Sequence, residues 1–333
     1  MYNYRMTPAD AWTGRTDSLE DFAAFRLHQA VERINLAETQ ALKHYVKKGL
    51  NFAFVGFESD LGVRLNKGRP GAAAAPHAIR QKLASLPLKF DDVGFVDVGN
   101  IYATDDLTRA QKALGEIVAQ LLQEGFLPII LGGGHETALA SYYGHWFNKE
   151  ASLGIVNIDA HFDNRPYEAD GPTSGTMFRQ IYDMTESQDW PYAYFVLGIQ
   201  DHGNTQELFN FADETGTVYF SAQDLLGGQS NGIYNVLDSW LADLAKVHLT
   251  IDMDVFNVAL APGVSATQPF GIFPQDIMPY LTHLLKSGKV ASIDVVEVSP
   301  ENDQANGQTA QLAAVLLYYL MQIWAEVEQG KDA

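Results

Sequence analysis

The sequence predicts a single α/β domain, residues 1–333, built on a mostly parallel sheet of eight strands. Three observations carry this expectation. First, short apolar runs recur along the chain: Asn51–Phe57, Val93–Val98, Leu127–Leu131, Leu153–Ile158, Ala193–Ile199, Thr217–Phe220, Val247–Ile251 and Val290–Val296. They lack strict alternation of apolar and polar residues, which suits strands buried on both faces of a parallel sheet. Second, amphipathic stretches lie between or after the runs, Leu107–Gln123, Ile277–Lys286 and Thr309–Glu328 among them. Strand alternating with helix is the pattern of a parallel sheet covered by crossover helices. Third, no linker-like segment and no internal repeat divides the 333 residues, and 47% of them are hydrophobic, enough for a sizeable core. Residues 1–50 precede the first run and read as a helical extension, with helix expected over Leu19–Lys48. The order of the strands stays open at this point.

Composition narrows the function. There is no cysteine, which excludes disulfides, thiolate metal sites and cysteine nucleophiles. The net charge of −19 repels nucleic acid and anionic membrane, so neither is expected as a partner. The first residues are polar and acidic rather than signal-like, and no run of eighteen or more apolar residues occurs. A cytoplasmic location is expected.

In open parallel sheets, ligands gather beyond the carboxyl ends of the strands, and four of those ends carry reactive side chains. Leu131–Glu136 (LGGGHE) places three glycines, which permit a tight backbone path, before His135 at a helix start. The segment is not a phosphate loop: it lacks G-x-G-x-x-G and the Lys-Ser/Thr of a P-loop. Alone, His135 would more often be structural. Asn157–Asp163 (NIDAHFD) alternates Asp159, His161 and Asp163. An extended backbone would send all three to one face, and their convergence without a cation would cost several kcal/mol. Thr250–Phe256 (TIDMDVF) repeats the alternation with Asp252 and Asp254. D-x-D is weak alone and gains weight opposite D-A-H-x-D. Glu297 ends the last strand, and Pro300 breaks it. As a bland alternative it is an ordinary strand-end acid; facing a metal site it is suited to hold a cationic substrate.

Six ligands of nitrogen and oxygen type, His135, Asp159, His161, Asp163, Asp252 and Asp254, suit hard or borderline divalent ions. A carboxylate-rich set favours Mn²⁺ over Zn²⁺. Two ions about 3.5–4 Å apart can share and ionise one water. Asp159 and Asp252 lead their clusters and are the best candidates for bridging.

Taken together, GGGHE, D-A-H-F-D, D-M-D and E-V-S-P resemble the ureohydrolase family of arginases, agmatinases and formimidoylglutamases. The resemblance runs from Asn66–Arg80 (NKGRPGAAAAPHAIR) to Thr309–Ala314 (TAQLAA). It implies a three-layer α/β/α sandwich, two Mn²⁺ ions per chain with a bridging hydroxide, a linear amidine or guanidine as small-molecule substrate, and a homo-oligomer such as a trimer or hexamer. By the same resemblance His135, Asp159, Asp163 and Asp252 hold one ion, and Asp159, His161, Asp252 and Asp254 the other. Glu297 matches a substrate-orienting glutamate, and Asp163 a residue that assists proton transfer.

Departures within the family sharpen the expectation. Phe178, in Ser174–Phe178 (SGTMF), stands where arginases carry a histidine, as an apolar side chain covering the pocket. Arg165, two residues after Asp163, stands where arginases carry asparagine. Ala261–Ala266 (APGVSA) and Asn204–Phe209 (NTQELF) also resemble the formimidoylglutamase branch. The expected catalytic residues are Asp163 and Glu297; the expected substrate residues are Arg165, Ser174, Asn204 and Glu297. The expected reaction is hydrolysis of N-formimidoyl-L-glutamate to L-glutamate and formamide, a step in histidine breakdown. The alternatives are another ureohydrolase (agmatinase, guanidinobutyrase or arginase) or a non-catalytic relative. For Arg165 the rival role is a surface pair with Glu168 or Asp170.

Overall fold

The structure, a computed structural model, describes residues 2–38, 42–167, 171–226 and 230–330. Each of the eight apolar runs forms a strand: β3 (Leu50–Glu58), β4 (Val93–Tyr102), β5 (Leu127–Leu131), β6 (Leu153–Ile158), β7 (Tyr194–Ile199), β8 (Val218–Ser221), β9 (Lys246–Asp252) and β10 (Val290–Val296). All pairings among these eight are parallel. Two short strands, β1 (Tyr4–Arg5) and β2 (Val31–Arg33), both pair with β4, β1 antiparallel and β2 parallel. Among the described residues the sheet therefore has ten strands rather than eight, in the order β1-β4-β3-β5-β10-β9-β6-β7-β8, with β2 beside β4 off that path. Strands of two and three residues are too short to show a pattern in sequence.

Nine α-helices are present among the described residues: α1 (Leu61–Leu65), α2 (Ala75–Ala84), α3 (Leu107–Gln123), α4 (Thr137–Phe147), α5 (Met177–Glu186), α6 (Gln206–Glu214), α7 (Asn231–Ala242), α8 (Pro274–Lys286) and α9 (Gln308–Glu328). They give the expected three layers. On one face, α2, α7, α8 and α9 share a core with Phe52, Phe54, Leu249, Ile251, Ile293 and Val295. On the other, α3 packs over Ala53, Val55 and Ile130, and α4, α5 and α6 pack over Ile155, Tyr194 and Val196. The helix α9 is long and apolar enough to cross a membrane by length and composition. Its apolar side chains, Leu317, Leu320, Met321 and Trp324, are instead buried in the first core, where α9 meets α2 and α8.

A polar seam separates the two cores of the second face. Along β9, Val247, Leu249 and Ile251 enter the first core. The intervening His248, Thr250 and Asp252 are also buried, and strand alternation turns them to the other face. Beneath α4, Ser141 Oγ donates to Asp294 Oδ2 at 2.9 Å. His248 Nε2 lies 3.0 Å from the same carboxylate oxygen, and Ser292 Oγ lies between His145 and His248 at 2.7 and 2.8 Å. The candidate site lies at the carboxyl end of this seam.

The helix expected over Leu19–Lys48 does not form among the described residues. That segment holds single 3₁₀ turns at Phe22–Ala24, Leu27–Gln29 and Leu42–Tyr45, and strand β2. Its buried apolar residues, Leu27, Ile34, Leu36 and Leu42, lack the sustained i, i+3, i+4 spacing a helix needs. The leading segment is fastened to the sheet by Asp97 of β4, whose carboxylate accepts from Thr7 Oγ1, Trp12 Nε1 and Arg80 Nε, each at 2.6 Å.

Candidate metal centre

The four loaded strand ends belong to β5, β10, β9 and β6, which are neighbours in that order at the centre of the sheet. His135 follows β5, Glu297 follows β10, Asp252 and Asp254 close β9, and Asp159, His161 and Asp163 follow β6. Residues distant in sequence thus share one edge of the sheet.

The side chains converge, though not by extended backbone. Strand β6 stops at Ile158, and Asp163 has a left-handed φ of 47°. The two clusters instead repeat one local device. Asp159 Oδ1 accepts the His161 N–H at 2.8 Å, and Asp252 Oδ1 accepts the Asp254 N–H at 2.7 Å. In each, the leading carboxylate closes a turn onto the amide two residues on, and its other oxygen points into the cluster. The physical content of D-x-H and D-x-D here is this turn rather than strand alternation.

His135 Nδ1 lies 3.1 Å from Asp159 Oδ2, 3.0 Å from Asp163 Oδ2 and 3.1 Å from Asp252 Oδ2. One ring nitrogen has at most one proton, so it cannot serve three oxygens, and it makes no well-aligned hydrogen bond with any of them. A second set holds His161 Nδ1, 3.2 Å from Asp254 Oδ2 and 3.5 Å from Asp159 Oδ1. The two sets are His135, Asp159, Asp163, Asp252 and Asp159, His161, Asp254. Asp159 belongs to both through its two oxygens. The geometry places Asp252 in the first set.

Glu297 also has a left-handed backbone, φ 64°, and its N–H donates to Gly133 O at 2.8 Å. Its Oε1 accepts the His135 N–H at 2.8 Å, and its Oε2 is buried without a partner. Gly133 is required by close approach: a Cβ there would lie 1.7 Å from Ser59 O. The glycines of LGGGHE serve close packing; none of the three has positive φ.

Electrostatics show what the cluster lacks. Burial pushes Asp252 and Glu297 well above the usual carboxylate range, Asp254 up to about 6, and Asp163 upward, with neighbouring carboxylates adding to each. Burial also opposes the charge of Asp159, but His135 and His161 hold it below the usual range. Burial would lower His135, yet its three carboxylates hold it well above an ordinary histidine. Five carboxylates, four buried and Asp163 partly exposed, surround two imidazoles and leave excess negative charge, and Nδ1 of His135, Oδ1 of Asp254 and Oε2 of Glu297 stay unpartnered. Hard oxygen donors with imidazole nitrogen fit divalent cations such as Mn²⁺.

Sequence reasoning missed the groups that aim the clustered side chains. Thr250 Oγ1 lies 3.0 Å from His135 Nε2, fixing which ring nitrogen faces the cluster. Asn157 Nδ2 donates to Asp159 Oδ2 at 3.0 Å and to Tyr194 Oη at 2.9 Å. Each residue stands two before an acid of the cluster, and period two on a strand was the available signal. Phe178 does not cover the pocket. It is fully buried behind the ligands, stacked on Tyr194 at 4.2 Å and edge-on to His135 at 5.6 Å.

A cavity of about 160 Å³ opens onto the cluster, with His161, Asp163, Asp252, Asp254 and Glu297 at one end and Arg165, Ser174 and Asn204 on its walls. Arg165 is exposed, and its guanidinium has no ion-pair partner among the described residues. Glu168 and Asp170, its expected rival partners, lie outside the described residues. Asn204 Nδ2 donates to Ala160 O and Gln200 O, both at 2.9 Å, and its Oδ1 accepts the Phe162 N–H at 3.0 Å. Its donors are committed to the turn that carries His161.

Fold and site define a parallel α/β protein with a buried carboxylate–imidazole centre at the middle of its sheet. A model of the arginase family matches residues 50–322. A Clostridium tetani protein named formimidoylglutamase is 41% identical over 332 residues, covering 98% of this chain and 97% of its own. A Geobacillus kaustophilus protein of the same name is 43% identical over 315 residues, covering 93% and 94%. Among solved structures, formimidoylglutamase from Bacillus subtilis superposes with TM-score 0.78 at 20% identity, covering 94% of this chain and 96% of that one. Trypanosoma cruzi formiminoglutamase with Mn²⁺ superposes with TM-score 0.74 at 22% identity, covering 86% and 96%. The chain belongs to the arginase family.

Proposed function

We propose that this protein hydrolyses N-formimidoyl-L-glutamate to L-glutamate and formamide, with two Mn²⁺ ions at the strand-end cluster. The observation that carries the substrate is Arg165: the wall of a pocket whose floor is carboxylate presents a guanidinium without an ion-pair partner among the described residues. A substrate cationic at one end and anionic at the other matches that polarity. The 41–43% identical relatives named formimidoylglutamase support the same reading.

His135, Asp159, Asp163 and Asp252 would hold one ion, and Asp159, His161, Asp252 and Asp254 would hold the other. When bound, the ions supply Lewis acidity and a water that ionises near neutral pH. The remaining work falls to the chain. Glu297, pinned through Oε1 by the His135 N–H, offers Oε2 to the amidinium of the substrate. Asp163 has Oδ2 in the first set and uses Oδ1 to take the proton of the attacking water and return it to the departing amine. Arg165 grips a substrate carboxylate through two parallel hydrogen bonds, Ser174 adds a hydroxyl on the same wall, and Asn204 props the turn that carries His161. Positioning and charge stabilisation supply most of the rate.

The test is a substrate panel with Mn²⁺: formimidoylglutamate, arginine, agmatine and guanidinobutyrate. Formimidoylglutamate is expected to have the highest kcat/KM. A hydrogen bond to a charged group contributes about 1.5–3 kcal/mol, so Arg165→Ala is expected to lower that value roughly 10- to 150-fold without changing metal content. Arg165→Lys also loses activity, because an ammonium lacks the planar fork. Agmatine or arginine as preferred substrate, or an unimpaired Arg165→Ala, overturns the reading.

A further inference from the structure

Formimidoylglutamate has two carboxylates, and Arg165 accounts for one. Among the side-chain amides on the cavity wall, one is already engaged, and the hydroxyls of Ser174 and Ser265 keep a proton to donate. Asn204 uses both amide protons on backbone carbonyls. Ser265 Oγ accepts the Arg69 N–H at 2.9 Å, and the Arg69 side chain donates to the carbonyls of Ser265 and Val264. Asn66, on the loop after α1, is different. It lines the cavity, its Oδ1 accepts from Thr173 Oγ1 at 3.3 Å, and its Nδ2 has no hydrogen-bond partner among the described residues.

The amide is held in place from both sides. Thr173 Oγ1 also accepts the Gly175 N–H at 3.1 Å, so the hydroxyl that fixes the Asn66 carbonyl is itself fixed by the turn carrying Ser174. On the backbone side, the Asn66 N–H donates to Gly62 O at 2.9 Å. The Gly62 N–H donates to Glu136 Oε1 at 2.9 Å, and Ser59 Oγ reaches the same oxygen at 2.8 Å. Glu136 is fully buried and follows His135 directly. The loop that carries Asn66 is thus tied to the metal centre. Gly175 keeps Asn66 close to Arg165: a Cβ at Gly175 would lie 3.1 Å from Arg165 Cδ and 3.1 Å from Asn66 Nδ2. The absent side chain leaves room for both groups on one stretch of wall.

We propose that Asn66 reads the second carboxylate of a dicarboxylate substrate, its Nδ2 donating beside the Arg165 fork. The proposal rests on the function proposed above. It makes the pocket selective for formimidoyl amino dicarboxylates over amidines with one acid group.

The experiment measures kcat/KM of the Mn²⁺-loaded protein on N-formimidoyl-L-glutamate and on its two monoamides, the α-carboxamide and the γ-carboxamide. Variants are Asn66→Ala, Asn66→Asp and Arg165→Ala. On the dicarboxylate, Asn66→Ala is expected to lose about tenfold, the effect of one hydrogen bond to a charged group. Asn66→Asp, nearly the same shape, is expected to lose more, because it sets a carboxylate against the substrate's own. The decisive result is complementarity. The Asn66→Ala loss shrinks to near unity on one monoamide, and the Arg165→Ala loss shrinks on the other. Equal Asn66→Ala losses on all three substrates, or both losses vanishing on the same monoamide, overturn the proposal. If the parent hydrolyses formimidoylglutamate and Asn66→Ala matches it, only this inference falls. If the parent does not hydrolyse formimidoylglutamate, the proposed function fails first and this inference fails with it.

Discussion

Two charged centres of this chain, one around Asp97 and one at the strand ends, are built on opposite terms. Around Asp97, an ion pair with Arg80 at 2.6 Å is almost fully sealed from solvent. Thr7, Trp12 and the Gly99 N–H fill the remaining carboxylate positions, and Arg80 also donates to Asn100 Oδ1 and Gly99 O. Charge cancels, and one polar atom of the group, Asn100 Nδ2, goes without a partner. At the strand ends, five carboxylates face two imidazoles, and three of the polar atoms there have no hydrogen-bond partner. The second centre reaches a cavity through Asp163 and His161, at 14% and 20% exposure, while the first is sealed. The imbalance of charge separates them further, and it marks the second as a place that needs something from outside the chain.

Removing a carboxylate should therefore have opposite consequences in the two places. The largest effect is expected for Asp252→Ala. It takes a ligand from the first set, so hydrolysis is abolished and Mn²⁺ content falls below the parent's. The metal-free variant is expected to melt no lower than metal-free parent, because a repelled, buried carboxylate is gone. Full turnover and full metal content in this variant would break the contrast.

Asp97→Ala is expected to do the reverse. It leaves Arg80 buried without its partner, a loss of about 3–5 kcal/mol, measured by denaturant unfolding in chelator. A loss below about 1 kcal/mol, the level of an exposed pair, would show that the Asp97 centre is not sealed. The smallest of the three effects tests how finely the open centre is aimed. Thr250→Val keeps the shape and removes the hydroxyl behind His135. Loss of such an outer partner lowers metal affinity roughly 10- to 100-fold, readable by Mn²⁺ titration. Unchanged affinity would mean that packing against Phe178 alone orients the ring.

The same contrast explains what could be read in advance. Strands β3 to β10 were legible because two-sided burial leaves nearly continuous apolar runs. The cluster of His135, Asp159, His161, Asp163, Asp252 and Asp254 was legible because acids and histidines at strand ends have few structural uses. Their path was not: the left-handed turns at Asp163 and Glu297 and the amide-closing turns of Asp159 and Asp252 depend on tertiary packing. Thr250 and Asn157 were hidden because each is an ordinary polar residue until its strand face is known. The leading residues misled for a related reason. From Leu19 to Lys48 the buried apolar residues among those described, Leu27, Ile34, Leu36 and Leu42, are irregularly spaced, so no period develops. Asn66 could not be singled out at all, since its role depends on Thr173, 107 residues away.

The bond between the His135 amide and Glu297 joins residues 162 positions apart. Its consequence concerns timing during synthesis. Strands β9 and β10 are inserted between β5 and β6, so the central edge of the sheet stays open until the final third of the chain has been made. A ribosome-bound chain ending before Asp252 carries His135, Asp159, His161 and Asp163 without the strand that closes the cluster. Completion of the cluster then follows the threading of β9 and β10 into the sheet, a long-range strand pairing of the kind that forms slowly.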